Sequence, residues 1–157
     1  MNTEHFLAYL DGRQIRWRLT FDQCVDDAGP DPRARLLAVF DALRSCAESH
    51  QGLRSFSFTH AVTELAGPQS PIRTTVAATK QALRKRLLEL SEATGTPAPD
   101  LLAEQLLLLY EGAITSHALG TMSDAAGKAH ATARQLIAAA SPLPQDAFLI
   151  GPDAPLP

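Results

Sequence analysis

LLAEQLLLLYEGAITSHAL, Leu101 to Leu119, is the stretch whose reading decides the fold. Placed at about 100° per residue, Leu102, Ala103, Leu106, Leu107, Leu109, Tyr110, Ala113, Ile114 and Ala118 fill a continuous arc of roughly half the circumference, wider than the stripe of a surface helix. Glu104, Glu111 and Thr115 border that arc on one side, Gln105 and Ser116 on the other. Between the borders runs a narrow second seam of Leu101, Leu108, Gly112 and Leu119, spaced i, i+7, i+11 and i+18. That is the repeat of a helix–helix contact, and Gly112 within it permits close backbone approach. A helix apolar on two sides needs two partners. The wide arc fits the chain's own core; the seam meets either more of the same chain or a second copy.

Working outward, Gly120 closes this helix, and Thr121 with Asp124 forms a candidate capping box for a last helix to about Ala140. Its face of Met122, Ala125, Ala126, Ala129, Ala133, Leu136, Ile137 and Ala140 is dominated by alanine. Small residues let helices approach closely, which makes this helix a natural neighbour for the Gly112 seam. The expectation is a four-helix dimer contact built from Leu101, Leu108, Gly112 and Leu119 with Ala125, Ala129, Ala133 and Leu136. The proline-rich tail, 141–157, reads as irregular.

Toward the N-terminus, Gly95-Thr96-Pro97-Ala98-Pro99 is the turn into the deciding stretch. Ahead of it, Ser70-Pro71 opens a helix to about Ala93 with Ile72, Val76, Leu83, Leu87 and Leu90 as its buried stripe. Lys80, Arg84, Lys85 and Arg86 on that helix read as a solvated face paired with Glu89, since no interleaved aromatics suggest nucleic acid. Leu53 to Leu65, LRSFSFTHAVTEL, reads as a helix because no second strand exists for it to pair with. Asp31-Pro32 caps a helix to about Ser49 carrying Leu36, Val39, Phe40, Leu43 and Cys46. From about Thr3 to Val25, Phe6, Leu10, Trp17, Phe21 and Cys24 share one helical face. Six helices and no convincing sheet predict an all-α domain over 3–140.

The composition narrows the function. The chain has 157 residues, 45% of them hydrophobic, enough for one well-filled core. Its 14 basic and 17 acidic residues argue against a surface built to grip phosphates. No apolar run spans a bilayer and no signal peptide opens the chain, so the expected location is the cytoplasm, with no membrane partner. Cys24 and Cys46 form no CxxC pair and read as small apolar side chains.

The order of these pieces resembles the C-terminal ligand-binding and dimerisation domain of the TetR/AcrR family of bacterial transcriptional regulators. FLAYLDGRQIRW at 6–17 is similar to the family's connecting helix and DPRARLLAVFDAL at 31–43 to the helix after it. LRSFSFTHAVTEL, PIRTTVAATKQALRKRLLEL and LLAEQLLLLYEGAITSHAL follow in the family's order, EQLLLLYEGA being the most distinctive. The resemblance implies a pocket for a small, partly apolar effector, and a homodimer or a heterodimer with a full-length relative. Ligand binding would shift the first helix between two positions. Many such relatives carry Cys and Asn where Phe56 and His60 stand here, so no particular ligand carries over. The family's N-terminal helix-turn-helix is not represented in these residues, and no segment offers a recognition helix. The 157 residues are therefore expected not to bind operator DNA by themselves; a fragment, a mis-assigned start and a shortened paralogue all fit.

The pocket expected from the resemblance takes Trp17, Phe21, Phe40, Phe56, Phe58, His60, Tyr110 and His117, apolar walls with a few polar groups to orient a ligand. Plain core packing is the competing assignment for each aromatic, Phe40 above all, and a satisfied core histidine for His60 and His117. No GxSxG, HExxH, P-loop or glycine-rich dinucleotide turn is present, and a metal site from His60, His117 and Cys24 has no local spacing to support it. Neither catalysis nor a cofactor is expected. The rival function is a small-molecule carrier or sensor with no role in transcription.

Overall fold

Asp31 shows how the sequence sets helix boundaries in this protein: its carboxylate accepts from the Arg33 N–H at 3.1 Å, with Pro32 in the first turn. Ser70 repeats the arrangement, its hydroxyl accepting from the Ile72 N–H ahead of Pro71. The computed structural model describes residues 2–49 and 66–141, and these hold five helices: α1 Thr3–Asp27, α2 Pro32–Glu48, α3 Pro71–Ala93, α4 Pro99–Leu119 and α5 Ala125–Ala140. The described residues are all-helical apart from their turns. The helix expected over Leu53 to Leu65 lies outside them, as does most of the proline-rich tail. No described helix is long and apolar enough to cross a membrane.

The deciding stretch forms α4, two residues longer at its start than the sequence suggested. Gly120 ends it at φ 65° in a Schellman motif: the Gly120 N–H donates to the His117 carbonyl and the Thr121 N–H to that of Ser116. Thr121 is thereby committed to the end of α4 and does not cap the next helix. Asp124, itself left-handed at φ 48°, caps α5 and accepts from the Gly127 N–H at 3.2 Å. A Cβ at Gly127 would lie 2.2 Å from that carboxylate, so a larger residue there would displace the capping side chain.

Burial divides α4 as its wheel predicts. Leu102, Ala103, Leu106, Tyr110, Ala113 and Ile114 are buried, while Leu101, Leu108 and Leu119 are 57%, 74% and 66% exposed and Gly112 is exposed between them. The alanine face of α5 turns the other way. Ala125, Ala126, Ala129, Ala133 and Ile137 pack inward against α2 and α4, with Leu136 half-buried. The expectation that Ala125, Ala129 and Ala133 join the α4 seam on an outer face is corrected: small side chains let α5 close on its own chain. Met122, grouped with that face, is exposed ahead of the helix.

The centre is α2, which packs against all four other described helices. Leu36, Val39, Phe40 and Leu43 on it are wholly buried, joined by Phe21 and Val25 of α1, Leu87 and Leu90 of α3 and the buried face of α4. Arg35 ties α2 to the end of α1, its guanidinium donating to the Val25 and Gly29 carbonyls at 3.3 and 3.4 Å and facing Asp26 at 3.5 Å. A cation over the last carbonyls complements the negative end of that helix dipole. His130 of α5 meets Asp41 of α2 at 3.0 Å. The basic run of α3 pairs across helices more than along its own: Lys80 with Glu111, and Arg84 with Glu104 at 2.7 Å, both on α4.

Candidate ligand-binding site

Helices α1 and α4 are both packed on α2, yet their Cα atoms stay more than 8 Å apart throughout. Side chains bridge that gap. The Trp17 and Tyr110 rings stand with centroids 5.9 Å apart, and Trp17 meets Phe21 edge-on at 6.1 Å. Next to these rings, walled by α1, α3 and the C-terminal half of α4, lies a cavity of about 860 Å³. This is within the roughly 300–1,000 Å³ of small-molecule sites.

Three pairings set the direction of the walls. Leu10 and Val76 share a small second core with Phe6, Gln14 lies against Thr79, and Asp22 faces Arg86 at 3.8 Å. Residue numbers rise together along both helices, so α1 and α3 run parallel. The Thr79 hydroxyl is 2.8 Å from the Gln14 Oε1 and 3.0 Å from the Thr75 carbonyl. A hydroxyl has one proton and cannot donate to both; presenting the Gln14 amide N–H to Thr79 Oγ satisfies the pair. Trp17, Phe21, Leu83, Tyr110 and Ile114 supply apolar wall, and the Lys80–Glu111 ion pair spans α3 and α4 at its side.

Tyr110 is the most deeply buried of the polar residues that line the cavity. It is 1% exposed, its ring packs against Trp17 and, edge-on, against Phe40, and its hydroxyl has no hydrogen-bond partner among the described residues. Burial pushes its phenol well above the ordinary value, with the neighbouring Cys46 and Glu111 acting in the same direction. A buried hydroxyl without a partner costs about 1–3 kcal/mol. Arg13, half-buried on α1, has its guanidinium carbon 5.7 Å from the Tyr9 ring centroid, and burial draws its pKa down. The Cys24 and Cys46 thiols, free and half-buried on α1 and α2, are pushed up chiefly by desolvation, which leaves them weak nucleophiles. Among the described residues no three His, Cys, Asp or Glu side chains gather as metal ligands would.

Of the residues expected at a pocket, Trp17, Phe21 and Tyr110 line this cavity together. Phe40 does not: it is wholly buried behind Tyr110, on the α2 side of the core. His117 does not line it either, standing half-buried in the last turn of α4 where the chain closes its Schellman motif. Phe56, Phe58 and His60 lie outside the described residues. The sequence reading drew nothing from α3, which furnishes Thr75, Val76, Thr79 and Leu83. The signal was there: Val76 and Leu83 belong to the buried stripe, and threonines flank it.

No family model matches the chain, and comparison with curated proteins and with solved structures gives no match either.

Proposed function

We propose that this chain is the small-molecule-binding, self-associating regulatory domain of a TetR-type regulator. One observation carries the reading: a cavity of about 860 Å³, lined by Trp17, Phe21 and Tyr110, in the gap between α1 and α4. The helix that would transmit a signal is α1, the stretch resembling the family's connecting helix, and it forms one wall. A ligand entering the gap bears on α1 and α4 together and changes their separation, which is the differential contact any population shift requires. Self-association is assigned to the exposed seam of Leu101, Leu108, Gly112 and Leu119 alone, because the α5 alanines are occupied within the chain. Any action on operator DNA would run through a helix-turn-helix head.

The test is a thermal-shift screen of small, partly apolar compounds on the full chain and on Leu83→Trp, whose larger ring occupies the cavity. A compound bound to the native state raises the melting temperature, by an amount that grows with its concentration. The expected result is stabilisation of the natural chain that disappears in Leu83→Trp. Stabilisation of equal size in both would place the binding elsewhere and defeat the reading.

A further inference from the structure

Five cationic side chains, Arg13, Arg18, Lys80, Lys85 and Arg86, line the cavity against three anionic ones, Asp22, Glu89 and Glu111. The chain as a whole has the opposite balance, 17 acidic to 14 basic residues. The three carboxylates are already answered. Glu111 pairs with Lys80, while Asp22 and Glu89 both face Arg86, at 3.8 and 3.4 Å. Arg18 and Lys85 take part in no ion pair among the described residues.

Their placement is not scattered. Arg18 lies one turn before Asp22 on α1, Lys85 immediately before Arg86 on α3, and the Asp22–Arg86 pair joins the two helices at that level. Because α1 and α3 run parallel, both uncompensated cations stand toward the same end of the cavity. The far end carries Leu10, Val76 and Leu119, with Arg13, Gln14 and Thr75 beside them.

The geometry points to an anionic amphiphile as the occupant: an apolar body along Leu10, Val76, Trp17 and Ile114, with a carboxylate head at Arg18 and Lys85. This rests on the small-molecule reading above and names the class of ligand for that site. A cationic amphiphile would bring like charge against two unanswered cations. A neutral one would leave both as they are, held by water alone. The two side chains are exposed, so the preference is electrostatic, moderate and sensitive to salt.

Calorimetry on the full chain tests this with three probes of one chain length, dodecanoate, dodecanol and dodecyltrimethylammonium, each kept below its micelle-forming concentration. Dodecanoate is expected to bind about tenfold tighter than dodecanol, in keeping with one charge-assisted contact, and the ammonium probe weakest. Raising the ionic strength should shrink the difference. The double variant Arg18→Gln, Lys85→Gln should bring dodecanoate down to the level of dodecanol and leave dodecanol itself unchanged. Dodecanol or the ammonium probe binding as tightly as dodecanoate, or a preference that survives the double variant, overturns the inference while the cavity reading stands. Dodecanoate failing to bind overturns it too. Binding of all three probes that persists in Leu83→Trp overturns both.

Discussion

Tyr110 sets a pH limit on this fold. A phenol in an unfolded chain ionises near pH 10, whereas burial holds the folded one well above that. The sign follows from proton counting: above about pH 10 the unfolded state has released a proton that the folded state keeps, so stability falls as pH rises, by up to about 1.4 kcal/mol per unit for one group. Below that pH both states carry the proton and the contribution is constant. Urea unfolding as a function of pH should show this alkaline decline reduced in Tyr110→Phe. At neutral pH the same variant, which removes an unpartnered buried hydroxyl, should be as stable as the natural chain or up to about 1 kcal/mol more so. A loss of stability would mean that the hydroxyl has a partner. Tyr110, Trp17 and Phe21, placed together on the strength of the family resemblance, do line one cavity. Phe40 does not, since periodicity tells that a side chain is buried but not which side of the core it faces. Arg18 and Thr79 escaped notice, and Lys85 was read only as part of a solvated face, because a polar residue on a helix looks solvent-facing until a third helix stands beside it.

At the scale of elements, α4 is the helix the sequence described best, down to a buried arc and an exposed seam. Gly112 has no neighbour among the described residues within 4 Å of the place a Cβ would take, so nothing among them requires glycine there. Glycine within a helix costs about 1 kcal/mol relative to alanine, a cost that the close approach of a second helix at the seam would offset. Gly112→Arg should therefore fold normally and sediment as a monomer, whereas Gly112→Ala should gain up to about 1 kcal/mol in folding stability. An unchanged dimer for Gly112→Arg would refute the seam as the contact. The caps at Asp31 and Ser70 and the stop at Gly120 were readable from residue type alone. Thr121 misled because the same residue serves a Schellman motif as well as it serves a cap, and the choice depends on the Ser116 carbonyl behind it. The direction of the α5 alanines depended on α2, whose central place no local pattern announces.

Taken whole, the described residues form a helical core on α2 with a gap between α1 and α4. The buried arcs, read helix by helix, gave the all-helical class; they did not give the gap between α1 and α4, because a cavity is a property of three surfaces failing to meet. What ties the α1 wall to the α3 wall is modest: the Gln14–Thr79 contact, the Asp22–Arg86 pair and a second core of Phe6, Leu10 and Val76. The wall formed by α1 contains the chain's single tryptophan, half-buried with the Tyr110 ring 5.9 Å away. The indole is thus a built-in optical reporter. Light absorbed by Tyr110 passes readily to Trp17 at that separation, and the colour of the emitted light follows how much water the indole sees. A molecule seated in the cavity should shift that emission toward the blue with no label attached, and the shift should saturate at the concentration where thermal stabilisation does.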